Sequence, residues 1–291
     1  MSEFEIYQQR MIEHEVAAVG AHAFRARENF SILIHGENRI AHNLLAILLG
    51  SGLRHVQIIA SNKLLPAHID HADFNALSVT NEHLGERRSA THVRIARSAS
   101  IFTRTELGVG ELTSPSELHR IYDPDLIIST SKAQGDYRQR WMSESSTHMY
   151  IDCDEQDEAW IGPLVIPGRY PCLTCFELHE RDRSGGEAIS PSLLGDRKET
   201  TVAAAALVAA TVAIEVSSFV ASGESTLIAS RHPINLRAPI APFHRSLPHY
   251  QAARGSLWWQ EESSEAVRES HSARFFDFHP ECGCVGDQLS F

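Results

Sequence analysis

The chain has 291 residues, 43% of them hydrophobic and 22% charged, enough to bury one large core or two smaller ones. Its 37 acidic residues outnumber 26 basic ones for a net charge of −11, which argues against a general nucleic-acid binder because phosphate contacts need clustered Lys and Arg. Met1 to Glu5 have neither the basic region nor the apolar core of a signal peptide, so a cytoplasmic, reducing setting is expected. The seventeen histidines stand mostly singly among polar residues and read as scattered surface positions.

Residues 3 to 28 carry apolar positions at helical intervals (Phe4, Ile6, Tyr7, Met11, Ile12, Val16, Val19), predicting one or two leading helices. Ser31 to His35 is a short apolar run of the kind a buried parallel strand needs. Gly36 ends it. Ile40, Leu44 and Leu48 follow at helical spacing, Gly50-Ser51-Gly52 closes that helix, and Val56 to Ile59 is a second strand. Strand, glycine turn, helix and strand make a βαβ unit whose helix N-terminus can receive a phosphate.

Glu86 to Ala99 reads as a further helix, and Leu126 to Ile128, Met149 to Ile151 and Leu164 to Ile166 as strands. The most apolar stretch, Val202 to Ile214, is too short to cross a bilayer before Glu215 interrupts it, so no membrane span is expected. It belongs to a long alanine-rich helix, Thr200 to Val220. The alternation predicts an α/β fold, a doubly wound, Rossmann-like, mostly parallel sheet. The expected division is leading helices at 1–29, the Rossmann-like domain at 30–253, a polar linker at 254–274 and a C-terminal tail at 275–291.

The cysteines carry the sharpest chemical signal. Cys172-Leu173-Thr174-Cys175 supplies two thiolates across a short turn, and Cys282-Gly283-Cys284 offers a second pair about 107 residues later. Four soft thiolates satisfy a tetrahedral Zn²⁺ and leave no open position, so the zinc is read as structural, fastening the tail to the fold. A redox pair would open a helix after a strand in a smaller fold, whereas here a proline-rich lead-in precedes Phe176. Cys153 is left over as a small core residue.

The phrase Gly162-Pro163-Leu164-Val165-Ile166-Pro167-Gly168-Arg169-Tyr170-Pro171-Cys172-Leu173-Thr174-Cys175, with His279-Pro280-Glu281-Cys282-Gly283-Cys284, resembles the ThiF/MoeB/HesA superfamily of ubiquitin-activating-type adenylyltransferases. It is similar above all to actinobacterial ThiF-like proteins and to the ThiF-like partners of azole-peptide biosynthesis. The resemblance implies ATP and Mg²⁺ as cofactors, activation of the C-terminal carboxylate of a small carrier protein or peptide, and a homodimer. It places Gly36, Asn38, Arg39 and Ala41 at the nucleotide turn and Arg88 where the family has a phosphate-binding lysine. His179 to Arg183 and Gly185-Gly186 fall where the family has a crossover loop.

Departures from the family pattern shape the functional reading. The glycine fingerprint has become Gly36-Glu37-Asn38-Arg39-Ile40-Ala41, with Glu37 bringing negative charge towards the phosphates. Ala60-Ser61-Asn62-Lys63 lacks the ribose-binding acid. Ser129-Thr130-Ser131-Lys132 replaces the metal-binding aspartate, with Asp136 a displaced substitute. The leading expectation is a degenerate member that binds a peptide, a carrier protein or a partner enzyme. The alternative is an active adenylyltransferase with Arg39 and Arg88 on the phosphates; a remote third is an NAD-dependent oxidoreductase. Trp258-Trp259 reads either as a partner anchor or as tail packing.

Overall fold

In a computed structural model the described residues are 3–59, 68–102, 123–131, 135–153, 158–183, 200–235 and 274–284. The two leading helices are α1 (Glu3–Val19) and α2 (Ala21–Asn29), separated by Gly20 at φ +87°. Ile12, Val16 and Val19 of α1 pack on a small cluster of Phe24, Ile101 and Phe102. The first strand, β1 (Ser31–His35), is buried along its whole length. Its alternation divides the core: Ile32 and Ile34 join one cluster, Leu33 the other. Asp125 anchors the start of the strand, accepting from the Ser31 N–H at 2.8 Å and from its hydroxyl at 2.6 Å.

Helix α3 (Arg39–Gly50) starts at Asn38, whose side chain accepts the Ala41 N–H at 2.9 Å as an N-cap. Strand β2 (His55–Ile59), helix α4 (Arg88–Ala99), strand β3 (Leu126–Ser129) and helix α5 (Gly135–Ser143) follow. Next come β4 (His148–Cys153), β5 (Glu158–Val165), α6 (Leu173–Arg183), α7 (Val202–Ser222), β6 (Ser230–Asn235) and β7 (Arg274–Phe275). The sheet order is β2-β1-β3-β4-β5-β6-β7. The first four strands pair in parallel, with β1 between β2 and β3. The chain therefore reverses direction across the sheet between β1 and β3, and the crevice beyond their carboxyl ends is where ligands bind in folds of this architecture.

The other three strands are antiparallel, so the run at Leu164 to Ile166 is the end of a longer hairpin strand and not another parallel one. Helix α7 is also longer than its apolar run suggests, and is apolar and long enough to cross a membrane by length and composition alone. Ala205, Val208, Ala209, Val212, Ala213 and Val216 bury its inner face in the larger core cluster, against α3 and α2. Glu215 lies within the helix, as the expected span Thr200 to Val220 has it, and its carboxylate accepts from the hydroxyls of Ser225 at 2.8 Å and Thr226 at 3.0 Å. The histidines are less superficial than their polar neighbours imply: His35, His42, His83, His92, His148 and His279 are buried. Ala60 to Lys63, Lys132, Gly185-Gly186, Trp258-Trp259 and the polar linker up to 273 lie outside the described residues, as do the side chains of Asp136 and Cys153.

Candidate functional site

At the end of β1 the backbone turns at Gly36, with φ +120°, a conformation that strongly favours glycine. A Cβ at this position would lie 2.5 Å from Thr130 Oγ1 and 2.7 Å from Ser131 Oγ. The space that the glycine opens is therefore filled by hydroxyls from the loop after β3. Asn38 Nδ2 donates to the Thr130 carbonyl at 2.6 Å, and the Thr130 N–H donates to the His35 carbonyl at 2.9 Å. These bonds stitch the two lips of the crevice together. His35 Nδ1 lies 3.1 Å from Ser129 Oγ, while His35 Nε2 and Ser131 Oγ are buried with no hydrogen-bond partner. Burial pushes the His35 imidazole down to about 4, so the ring is neutral at pH 7.

The cations that the sequence assigns to phosphates are engaged with groups of the chain itself. Arg88 is 3% exposed and reaches Asp73 through both terminal nitrogens, at 2.9 and 2.7 Å. Its Nε also lies 4.0 Å from the buried carboxylate of Glu37. His92 Nε2 approaches Glu37 at 3.6 Å and His42 Nε2 at 3.2 Å, and burial together with the neighbouring His42 holds the His92 pKa well below its ordinary value. Arg39 donates to the backbone carbonyls of Thr200 at 2.7 Å and His71 at 3.4 Å. Ala41 is buried one turn into α3.

A nucleotide phosphate needs open backbone N–H groups over the turn and a cation free to face it. The described residues at this crevice do not fit one: hydroxyls fill the glycine cradle, Glu37 adds a buried negative charge, and Arg88 is matched by Asp73. Asp73 had no sequence signal, because its segment has neither periodicity nor motif and its partner lies fifteen residues away.

The four cysteines do come together. Their sulfurs all lie within 4.8 Å of one another, with Cys172–Cys175 at 4.0 Å, Cys172–Cys282 at 3.4 Å and Cys175–Cys284 at 3.3 Å. A tetrahedral zinc with bonds of about 2.3 Å sets its sulfurs about 3.8 Å apart, so the donor set fits the ion. It is the one such group of His, Cys, Asp and Glu among the described residues. The first pair does not span a turn, as the sequence suggests. Cys172 immediately precedes α6 and Cys175 sits in its first turn, an arrangement shared with redox pairs, but here two further sulfurs complete the cluster.

Helix α6 also explains the charged run at His179 to Arg183, which is helix and not loop. It holds the tail: His179 Nε2 contacts the Asp277 carbonyl at 2.9 Å, Asp182 meets His279 at 2.9 Å, and Arg181 meets Glu281 at 2.8 Å. Phe176 and Phe276 pack edge to face at 5.1 Å. Beside the cluster lies a cleft of about 650 Å³ that the sequence does not foretell. Its walls are Arg138, Gln139, Met142 and Ser143 of α5, the start of α6, Cys282 to Cys284, and His148 and Tyr150 of β4.

No protein-family model and no curated protein matches the chain. Solved structures do. E. coli MccB, determined with AMPCPP and selenomethionine-labelled MccA, is 15% identical over 92% of this chain and 70% of its own, with a TM-score of 0.62. The microcin C7 biosynthetic enzyme MccB in complex with N-formylated MccA is 14% identical over 98% of this chain and 77% of its own, at 0.65. PaaA is 14% identical over 81% of each chain, at 0.58. Likeness at these identities is likeness of fold: the chain shares the fold of MccB and PaaA.

Proposed function

We propose that this chain is a nucleotide-independent protein of the ThiF-type fold that binds a peptide or small protein partner, with a structural Zn²⁺ as its clip. The observation that carries the reading is the closed crevice, in which both carboxylate oxygens of Asp73 hold Arg88, with Glu37 4.0 Å away, where a phosphate would need an open cation. The peptide partner is supported by the shared fold, since MccB is solved with the MccA peptide bound. A cytoplasmic setting, where cysteines stay reduced for metal, and a homodimer belong to the same proposal.

The second reading, an active adenylyltransferase, draws on one observation: MccB of this fold is also solved with ATP. Arg39 and Arg88 would then have to leave their present partners to meet the phosphates. Calorimetric titration of the zinc-loaded chain with ATP and Mg²⁺ separates the two. No heat at millimolar ATP supports the nucleotide-independent reading. Micromolar binding, followed by pyrophosphate exchange with a candidate carboxylate, overturns it.

A further inference from the structure

We propose that the cleft beside the cysteine cluster is a binding site for a primary alkylammonium group, such as the end of a lysine side chain. It rests on the peptide-binding reading only for the carrier of that group. The cleft is large enough for a ligand, at about 650 Å³. Its polar groups include several acceptors. Four thiolates around a divalent ion leave two negative charges in excess, and the half-buried Cys282 and Cys284 bring part of that charge to the cleft wall. His148 is 1% exposed, and its Nδ1 lies 2.8 Å from the Ser146 carbonyl. Nδ1 must carry the proton in that pair, which leaves the Nε2 lone pair as the acceptor of the ring. Tyr150, 2% exposed, adds a phenolic oxygen to the same lining, beside the Arg138 guanidinium.

The lining holds one full cation, Arg138, which is matched by Glu177 and also faces Tyr150 and Cys172. Its terminal nitrogens donate to both carboxylate oxygens of Glu177, at 3.1 and 2.8 Å. An anion would therefore meet an occupied guanidinium and an excess of negative charge, while a compact ammonium meets acceptors on several sides. Met142 and Leu173 give the methylene stem an apolar wall.

The test uses the full chain with ¹¹³Cd in place of zinc, because cadmium accepts the same four thiolates and its resonance reports on hydrogen bonding to sulfur. Titration with n-butylammonium should shift the resonance saturably, at least tenfold more tightly than n-butanol, with no response to butyrate. Glu177→Gln should weaken the ammonium response several-fold, and if that variant does not fold, the wild-type ligand series still decides. Equal responses to butanol and butylammonium, a butyrate response, or a flat resonance throughout would each overturn the assignment. Micromolar ATP binding in the same preparation would overturn the nucleotide-independent reading and leave the cleft standing. A flat cadmium resonance without ATP binding removes the cleft alone.

Discussion

Asp73 grips Arg88 through both carboxylate oxygens in a space where neither side chain is more than 3% exposed. A buried ion pair contributes little net stability over a well-packed apolar pair, but breaking it leaves an uncompensated charge. Arg88→Ala should therefore destabilise the chain by about 3–5 kcal/mol, read from urea unfolding. Asp73→Ala in the same background should recover much of that loss. An Arg88→Ala variant of wild-type stability would show that the pair is not the buried clamp described above.

Gly36 faces a second constraint. With φ at +120° and a Cβ site 2.5 Å from Thr130 Oγ1, Gly36→Ala meets both backbone strain and overlap. A loss of about 2–4 kcal/mol follows from the two costs combined. Adding Thr130→Ala should relieve the closer of the two overlaps and leave that with Ser131 together with the strain, so the double variant should fall between the single variant and wild type.

For the metal, about one equivalent of zinc per chain is expected from elemental analysis. Cys172→Ser and Cys284→Ser should each lose it, with a fall in melting temperature that added zinc cannot restore, because binding free energy is folding free energy at such a site. Full metal retention in both variants would remove the four-thiolate centre.

His35 sets a pH dependence. Its folded pKa is lowered from 6.5 to about 4 by burial, so on acidification the unfolded chain takes up a proton that the folded chain refuses. The neutral ring contributes its full stability above pH 6.5, and that stability is lost as the pH falls towards 4. The loss amounts to about 3 kcal/mol from a shift of this size. His35→Gln keeps the same cysteines and so the same acid sensitivity of the metal. Its unfolding free energy should fall less steeply than that of wild type between pH 6.5 and 4.5, and parallel curves would rule the histidine out.

The outer face of α7 bears on the homodimer. Ile214 is 70% exposed in the middle of an otherwise apolar helix. Light scattering should give twice the 32.4 kDa of one chain, and Ile214→Glu should shift the mass towards one. A monomer mass for the unmodified chain would end the homodimer proposal.

Much of the scaffold was legible because its signals are local. Ser31 to His35 and the helix from Ile40 announce themselves through β-branched residues, helical spacing and a glycine stop. Two things were not. Helix α5 has only Tyr137, Trp141 and Met142 as apolar residues, too few for a periodic signal, though Trp141 is 1% exposed. The antiparallel turn of the sheet was hidden because strand direction depends on which neighbour a strand finds, and Pro163 made β5 look shorter than it is. The cysteine cluster was legible because its ligand types and spacings are themselves the chemistry. The cleft beside it was not, since α5, β4 and the tail meet there only in three dimensions.

The short strand β7 covers only Ser230 and Arg231 of β6, and further along that strand Pro233 offers no N–H to an intruder. The stretch left to guard is thus small, and its guard is tethered through the tail to the four sulfurs. Chelation would free that tether and loosen the cover that β7 gives to Ser230 and Arg231 among the described residues. Loss of metal should then promote self-association as well as unfolding.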